Sequence, residues 1–266
     1  MDFKSVSIGL EGVINARDLG GIRVPGGKVR KGLLLRGGSL ATATDADLAR
    51  LRDVYHVTRV FDFRTSMEVG KNPDRDLQGA TNIWLPAFDE NQGRMAEMSL
   101  PAFAYKDLGN WMLSNARDPE VQAIARAMYE VMVTDEFTRM QYAGFLQNIV
   151  MTREGAVFWH CSQGKDRTGL GAAFLLAALG ADRDAIMEDY EISNEFYAAD
   201  VAKLCSCMDT EEEKEAVRTF VGVNPRYFSR ALDVIEAECG SLTGFLQGPL
   251  CLSDEDIKVL RDRYIE

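Results

Sequence analysis

The sequence predicts an α/β fold built around one short sheet. Short apolar runs of strand character alternate along the chain with longer runs of helical pattern, which is typical of α/β proteins. One such run, 156–160, is followed at once by a tight loop and then by the apolar stretch 168–179, which is long enough for a buried helix. No proline-, serine- or glycine-rich linker and no repeat interrupts the 266 residues, so we expect one domain over 1–266.

Strands and one helix are predicted in the first third of the chain. Thr44 and Asp47 form a capping box, and the apolar residues after it continue a helix to Val54. Two short strands are predicted on either side of the Pro-Gly-Gly turn at 25–27. Including these two, the predicted strand segments are 21–29, 32–36, 57–63 and 81–88.

Helices are predicted for most of the remaining chain. The segment 94–151 has a helical pattern and is a candidate lid insertion, with an ordinary helical layer on the core as the alternative. Its helical pattern is interrupted at Pro101, Gly109 and Pro119. A strand over 156–160 and a helix over 167–179 follow, and Gly180 ends that helix. Later helices are predicted to begin near Asp182, Thr210, Pro225 and Ser253.

Charge and composition argue against several classes of partner. With 30 basic and 41 acidic residues the net charge is −11, which disfavours nucleic acid and anionic membrane surfaces. No stretch reaches the roughly 18 apolar residues of a transmembrane helix. The first residues lack the charged and apolar regions of a signal peptide, so we expect a cytoplasmic protein.

The cysteines and histidines point away from disulfides and metals. An odd number of cysteines fits a reducing compartment better than a disulfide framework. The two histidines, His56 and His160, have no cysteine spacing that suggests zinc, so we expect neither a metal nor another cofactor. The five cysteines are Cys161, Cys205, Cys207, Cys239 and Cys251.

The most informative segment is the decamer 160–169, His-Cys-Ser-Gln-Gly-Lys-Asp-Arg-Thr-Gly, which joins a predicted strand to a predicted helix. A loop at a helix N-terminus directs its N–H groups and the positive end of the helix dipole at one point, and such a point binds phosphate. A thiol there is driven towards the thiolate. Cys161 is therefore the candidate nucleophile, and the planar fork of Arg167 is the candidate phosphate ligand.

Other residues of the decamer would shape this site. Gly164 allows backbone N–H groups to approach a phosphate closely. Thr168 either donates a hydrogen bond to the thiolate or is simply a residue of the first helical turn. His160 is expected to orient the loop from the end of the strand. The residues predicted to contact substrate are Ser162, Gln163, Gly164, Lys165, Thr168 and Arg64.

The decamer resembles the signature loop of the cysteine-dependent protein tyrosine phosphatase superfamily. Five other parts of the chain resemble one bacterial and fungal branch of it, which includes mycobacterial phosphatase B and Listeria LipA-type enzymes. This resemblance covers nearly the whole chain, and it implies a three-layer fold with a short central sheet and helices on both faces. The five parts are 15–21, 35–40, 61–68, 179–194 and 252–257.

Three aspartates compete for the role of general acid. A carboxylate beside a bound phosphate dianion is unfavourable unless it is protonated, paired or turned outward, so Asp166 either protonates the leaving oxygen or pairs with Lys165. Asp89 follows a strand at the place where the resemblance to dual-specificity enzymes puts their acid. Asp62 ends another predicted strand, with pairing to Arg64 as its alternative role. We rank the three in the order Asp166, Asp89, Asp62.

The resemblance implies a phosphomonoester hydrolase that forms a phosphocysteine at Cys161. A protein tyrosine or dual-specificity phosphatase is the first expectation, and a phosphoinositide or inositol phosphate phosphatase is the alternative. A catalytically silent phosphate-binding module is a remote third, because such proteins usually lose the cysteine or the arginine. The sequence leaves the substrate preference and the oligomeric state open. Basic residues available to a multiply phosphorylated head group are Lys165, Arg64, Arg36 and Arg17.

Overall fold

A computed structural model describes residues 6–88 and 118–266 of the chain. Seven strands occur in these ranges. Two of them form a hairpin, β2 (Arg23–Val24) with β3 (Gly27–Lys28). The other five are β1 (Arg17–Asp18), β4 (Leu34–Gly37), β5 (Val57–Asp62), β6 (Thr81–Trp84) and β7 (Ala156–His160).

Eleven α-helices occur in the described ranges, and none of them is long and apolar enough to cross a membrane. A 3₁₀ turn over Leu40–Thr42 precedes the first helix, and a π turn over Arg50–Val54 continues it. The helices are α1 (Asp45–Ala49), α2 (Ser66–Lys71), α3 (Pro119–Thr134), α4 (Glu136–Met151), α5 (Asp166–Leu179), α6 (Arg183–Glu191), α7 (Ser193–Cys205), α8 (Glu211–Val221), α9 (Pro225–Cys239), α10 (Leu242–Gln247) and α11 (Asp254–Tyr264).

The five-stranded sheet has the order β1-β4-β7-β5-β6. Strand β7 lies at its centre and runs parallel to both neighbours, β4 and β5. Every residue of β7 is buried, as expected for a parallel strand covered on both faces. The carboxyl ends of parallel strands share one edge of a sheet, where ligands of open α/β folds bind. Cys161 directly follows β7 at this edge.

Side chains of β7 alternate between two apolar layers, as the period of a strand requires. Trp159 belongs to the larger core cluster and contacts Phe145 of α4 at a ring distance of 5.6 Å. Phe158 belongs to the smaller cluster on the opposite face, together with Leu51 of the π turn. Helices therefore cover both faces of a mixed sheet, and the predicted three-layer α/β fold is confirmed.

Several predicted element boundaries agree with the structure and others differ. Side chains of Thr44, Asp182, Thr210 and Ser253 cap the helices that they were predicted to begin. Strand β6 ends at Trp84 rather than at residue 88, although Leu85 and Ala87 still donate to the carbonyls of Asp62 and Phe63. The sequence analysis missed the two-residue strand β1 and the short helix α2.

Helices α3 and α4 form the described part of the predicted lid segment 94–151, whose residues up to 117 lie outside the described ranges. Helix α4 buries Tyr142 and Phe145 completely, so it is a core helix. Helix α3 contributes Met128 and Met132 to the wall of a cavity at the sheet edge. Movement of this segment as a lid stays a prediction.

Candidate active site

The loop between β7 and α5 lies tightly against the end of β4. Gly164 has a φ of +69°, and a Cβ atom there would lie 2.2 Å from the carbonyl carbon and oxygen of Gly37. Both the left-handed backbone and the close approach require glycine at this position. Gly164 therefore allows the loop to lie against β4, and its predicted role towards phosphate stays a prediction.

Three consecutive carbonyl groups of this loop point outward to hydrogen-bond donors. The Ser162 carbonyl accepts from the N–H of Ser39 at 3.3 Å, and the Gln163 carbonyl accepts from the Tyr197 hydroxyl at 2.6 Å. The Gly164 carbonyl accepts from the Asn15 amide at 2.8 Å. The N–H group of a trans peptide points away from its carbonyl, so the N–H groups of 163–165 face the inner side. Within the described ranges they donate to no acceptor, which leaves them available to an anion.

A buried ion cluster supports the outer side of the loop. Asp189 of α6 contacts Arg17 at 3.0 Å and Arg36 at 2.5 Å, and all three side chains are buried. Arg36 also donates to the carbonyl of Gly164 at 2.9 Å. Burial opposes the charge of Asp189, but the two guanidinium groups outweigh it and hold the pKa of this carboxyl below its usual value. One carboxylate against two guanidiniums leaves positive charge behind the loop, which favours an anion in front of it.

Glu68 of α2 holds the guanidinium of Arg167 from its end. Its two carboxylate oxygens accept from Nη1 at 2.6 Å and from Nη2 at 2.8 Å, and Glu68 also accepts from the Ser162 hydroxyl at 2.5 Å. Burial opposes the charged form of Glu68, but Arg167 and these hydrogen bonds outweigh it and lower the pKa of Glu68 to about 2. The Nε–H edge of Arg167 has no partner within the described ranges, so a second oxyanion can bind there side-on.

Asp166 begins α5 beside Cys161 and Arg167 and contacts two tyrosines. Its Oδ1 atom accepts a hydrogen bond from the Tyr129 hydroxyl, and the Tyr190 hydroxyl lies 3.4 Å away. No ion pair joins Asp166 to Lys165 in the described ranges, so the predicted alternative of such a pair is not realised.

Lys165 donates to a helix end. Its ammonium group reaches three carbonyls at the C-terminus of α8, those of Phe220, Val221 and Gly222, at 2.7, 3.2 and 2.9 Å. The burial that accompanies these contacts lowers the pKa of Lys165. The three donors of the ammonium are thereby engaged, and a direct contact from Lys165 to substrate has no support in this arrangement.

Asp62 and Arg64 form a second buried cluster beneath the site. Arg64 donates to Asp62 at 2.7 Å, contacts Asp74 at 2.9 Å and donates to a backbone carbonyl. His160 lies 3.0 Å from Asp74. Asp62 thus takes its alternative role as a structural carboxylate, and the guanidinium of Arg64 is engaged away from substrate. Asp62, Asp74 and His160 have a spacing that could hold a metal ion, but Arg64 already supplies the positive charge between the two carboxylates.

A cavity of about 720 Å³ lies over the loop. Of the predicted site residues, Gly164, Thr168 and Asp62 do not line it, and Asp89 lies outside the described ranges. The Thr168 hydroxyl is buried without a hydrogen-bond partner within those ranges, so its predicted bond to the thiolate stays a prediction. The predicted residues that line the cavity are Cys161, Ser162, Gln163, Lys165, Asp166, Arg167 and Arg64.

Comparison with known proteins decides the family. A family profile described as "Tyrosine phosphatase family" matches residues 8–266. The chain belongs to this tyrosine phosphatase family. It is 31% identical to a Cupriavidus necator protein assigned as a tyrosine-protein phosphatase, over 95% of this chain and 86% of the relative. It is 32% identical to the triple specificity protein phosphatase PtpB of Mycobacterium tuberculosis, over 90% and 92% of the two chains.

A third match covers less of the chain. A tyrosine-protein phosphatase of Nostoc commune is 42% identical over 53 residues, which are 20% of this chain and 18% of that protein. Membership of the family makes the protein a tyrosine or dual-specificity phosphatase that hydrolyses phosphomonoesters through a phosphocysteine. Four functional residues could not be predicted from the sequence. Glu68, Asn15 and Tyr197 contact the loop from distant parts of the chain, and Asp189 holds Arg36 behind it.

We expect Asp189→Asn to destabilise the tyrosine phosphatase by about 3–5 kcal/mol, because it leaves two buried guanidiniums without a carboxylate. The free energy of unfolding in urea measures the change. Asp233→Asn is the matched control, since Asp233 pairs with Arg183 at the surface, where a pair contributes about 0–1 kcal/mol. Equal, small losses in both variants would contradict a supporting role for the Asp189 cluster.

We expect Glu68→Gln to lower kcat/KM of the phosphatase on the order of tenfold or more. An Arg167 guanidinium displaced by even about 1 Å loses its alignment with phosphate. Glutamine preserves the capping box with Thr65 but removes the charge that holds Arg167. Glu213→Gln makes the same change in the capping box of α8 and is the control. Steady-state kinetics on an aryl phosphate measure both variants. Equal kcat/KM values in the two would contradict the role of Glu68 in holding Arg167.

Proposed function

We propose that this phosphatase acts on phosphorylated proteins, with phosphotyrosine as the preferred residue. Cys161 is the nucleophile, Arg167 binds the phosphoryl oxygens and Asp166 is the general acid. The observation that supports this proposal is the meeting of three features in one cavity. They are a buried cysteine, inward N–H groups, and an arginine edge, and neither the N–H groups nor this edge has a partner among the described residues.

Binding uses the loop and Arg167 together. The phosphoryl oxygens would accept from the inward N–H groups of 163–165 and from the Nε–H edge of Arg167. These donors are fixed before substrate arrives. The carbonyls of the same peptide groups already accept hydrogen bonds, and Glu68 already binds the end of the Arg167 guanidinium. Preorganised donors stabilise charge that develops in a transition state without reorganisation of the site. The positive end of α5 acts on the same oxygens and on the Cys161 thiolate.

The reaction has two steps. The Cys161 sulfur attacks phosphorus, an S–P bond forms, the bond to the leaving oxygen breaks, and Asp166 gives its proton to that oxygen. A water molecule then attacks phosphorus while the Asp166 carboxylate takes its proton. The S–P bond breaks in this second step, which releases inorganic phosphate and restores the thiolate.

Asp166 is the best supported of the three acid candidates. It lines the cavity beside Arg167, and no hydrogen bond reaches its Oδ2 atom within the described ranges. That oxygen can therefore carry the proton to the substrate. Asp62 is committed to Arg64 and does not line the cavity. Asp89 lies outside the described ranges, and the proposal ranks it second.

The cavity wall favours an aryl phosphate. Much of this wall is apolar, and the Phe88 ring lies 4.8 Å from the guanidinium of Arg167. The apolar side chains are those of Met67, Phe88, Met128, Met132 and Phe220. An aromatic leaving group can pack against such a wall, as apolar pocket walls usually serve their ligands. The PtpB relative is named a triple specificity protein phosphatase, which supports activity on more than one class of phosphorylated substrate here as well.

The phosphoinositide alternative has weaker support. It relied on four basic side chains that were available to a multiply phosphorylated head group. Arg17 and Arg36 pair with Asp189 behind the loop, Arg64 pairs with Asp62 and Asp74, and Lys165 donates to the end of α8. None of the four offers an unused charge to the cavity in this arrangement.

A substrate panel tests the proposed function. We expect phosphate release from phosphotyrosyl peptides to be fastest, from phosphoseryl peptides slower, and from inositol phosphates slowest, with EDTA present throughout. Cys161→Ser should reduce release to below about one hundredth of wild type while vanadate still binds, because backbone and Arg167 form the anion site.

Cys251→Ser is the control for this variant, since Cys251 is exposed and does not line the cavity. Its activity should equal that of wild type. Inositol phosphates as the fastest substrates would overturn the proposed substrate class. Full activity of Cys161→Ser would overturn the covalent mechanism.

We expect Asp166→Asn to lower kcat/KM by about 100-fold or more for phosphoserine, the poor leaving group, because a general acid typically contributes that much. For an aryl phosphate with an activated leaving group, kcat/KM should fall far less. Asp89→Asn is measured in parallel, since one of the two residues alone should show this dependence on the leaving group. The dependence in Asp89→Asn would transfer the acid role to Asp89.

A further inference from the structure

We propose that Tyr129 is a positioning residue for the general acid and that Tyr190 anchors it. The two hydroxyls hold one oxygen of Asp166 so that the other oxygen faces the cavity. This inference rests on the proposed acid role of Asp166 and adds two tyrosines from distant parts of the chain to the reaction. Tyr129 lines the cavity and Tyr190 does not, and in this proposal both act through Asp166.

Three oxygen atoms form the contact. The Tyr129 hydroxyl donates to Asp166 Oδ1, and it lies 2.7 Å from the Tyr190 hydroxyl. The Tyr190 hydroxyl lies 3.4 Å from Asp166 Oδ1, at the limit of a hydrogen bond. Two phenolic protons serve these contacts. The distances favour a chain in which Tyr190 donates to Tyr129 and Tyr129 donates to Asp166.

Tyr190 provides the rigid end of this chain. It is completely buried on α6, and its ring stacks on Phe228 of α9 with centroids 3.9 Å apart and an interplanar angle of 11°. Gly169 of α5 lies so close that a Cβ atom there would meet the Tyr190 ring at 3.0 Å. A side chain enclosed in this way has one rotamer, so its hydroxyl is a fixed reference point for Tyr129.

Both phenols are suited to remain donors. Burial raises the pKa of Tyr129 well above its usual value, and the nearby charge of Asp166 raises it further. The same two causes raise the pKa of Tyr190. Each hydroxyl therefore keeps its proton at neutral pH and remains a donor, Tyr129 to Asp166 and Tyr190 to Tyr129.

Helix α3 connects this contact to the substrate wall. Tyr129 lies on α3 between Met128 and Met132, which line the cavity. A substrate that packs against these methionines therefore contacts the same helix that holds Asp166. The arrangement places the acid correctly only while Tyr129 of α3 stays in contact with Asp166 of α5 and Tyr190 of α6.

Removal of single hydroxyl groups tests the inference. Tyr129→Phe keeps the ring and should lower kcat/KM for phenyl phosphate by about tenfold, the loss expected of one hydrogen bond to a charged group. For 4-nitrophenyl phosphate, whose leaving group needs little protonation, the loss should stay below about threefold. Tyr190→Phe should show the same dependence with a smaller loss. Tyr264→Phe removes a buried hydroxyl far from the cavity and should change neither value.

A double variant separates positioning from a general structural effect. In the Asp166→Asn background, Tyr129→Phe should cause no further loss on phenyl phosphate, because the acid that it positions is already absent. An equal loss on both substrates, or a further loss in the double variant, would overturn the inference.

The same experiment separates this inference from the proposed function. If Asp166→Asn shows the leaving-group dependence and Tyr129→Phe behaves as wild type, the acid role stands and the positioning role falls. If Asp166→Asn lacks the dependence, the acid role falls and the positioning role falls with it.

Discussion

The contact of Asp189 with Arg17 and Arg36 is the interaction on which the site depends. The five-residue loop between β7 and α5 has no secondary structure that supplies hydrogen-bond donors to its carbonyls. Other residues must therefore donate to them. Arg36 and Asn15 bind the Gly164 carbonyl from the outer side, and Asp189 holds Arg36 in place. With the carbonyls turned outward, the N–H groups must face inward. The anion site is thus a consequence of a buried ion cluster on its far side.

Glu68 shows how the site tolerates negative charge beside a phosphate. A carboxylate on the substrate side would repel phosphate, but Glu68 binds the far end of the Arg167 fork and leaves the Nε edge unused. The pair fixes the orientation of the guanidinium, so less side-chain entropy is lost when substrate binds. The same carboxylate caps α2, which ties the position of this helix to that of Arg167.

The sequence predicts the fold and the local part of the site, because both are encoded over short distances. Cys161 and Arg167 belong to one decamer between a strand and a helix, and spacing alone places them together. Glu68 and Tyr197 lie far from that decamer in sequence, and a single sequence contains no signal for which distant carboxylate or hydroxyl meets the loop. The partners of the Lys165 ammonium, carbonyls at the end of α8, could not be predicted for the same reason.

Helical geometry explains why neighbouring charges at the start of α5 do different work. Successive residues of an α-helix point about 100° apart, so Lys165, Asp166 and Arg167 spread away from one another. Lys165 reaches the end of α8, Asp166 reaches Tyr129 of α3, and Arg167 reaches Glu68 of α2. Adjacent opposite charges therefore do not neutralise each other. Each is held by a different helix, and the loop gains three separate supports from three consecutive residues.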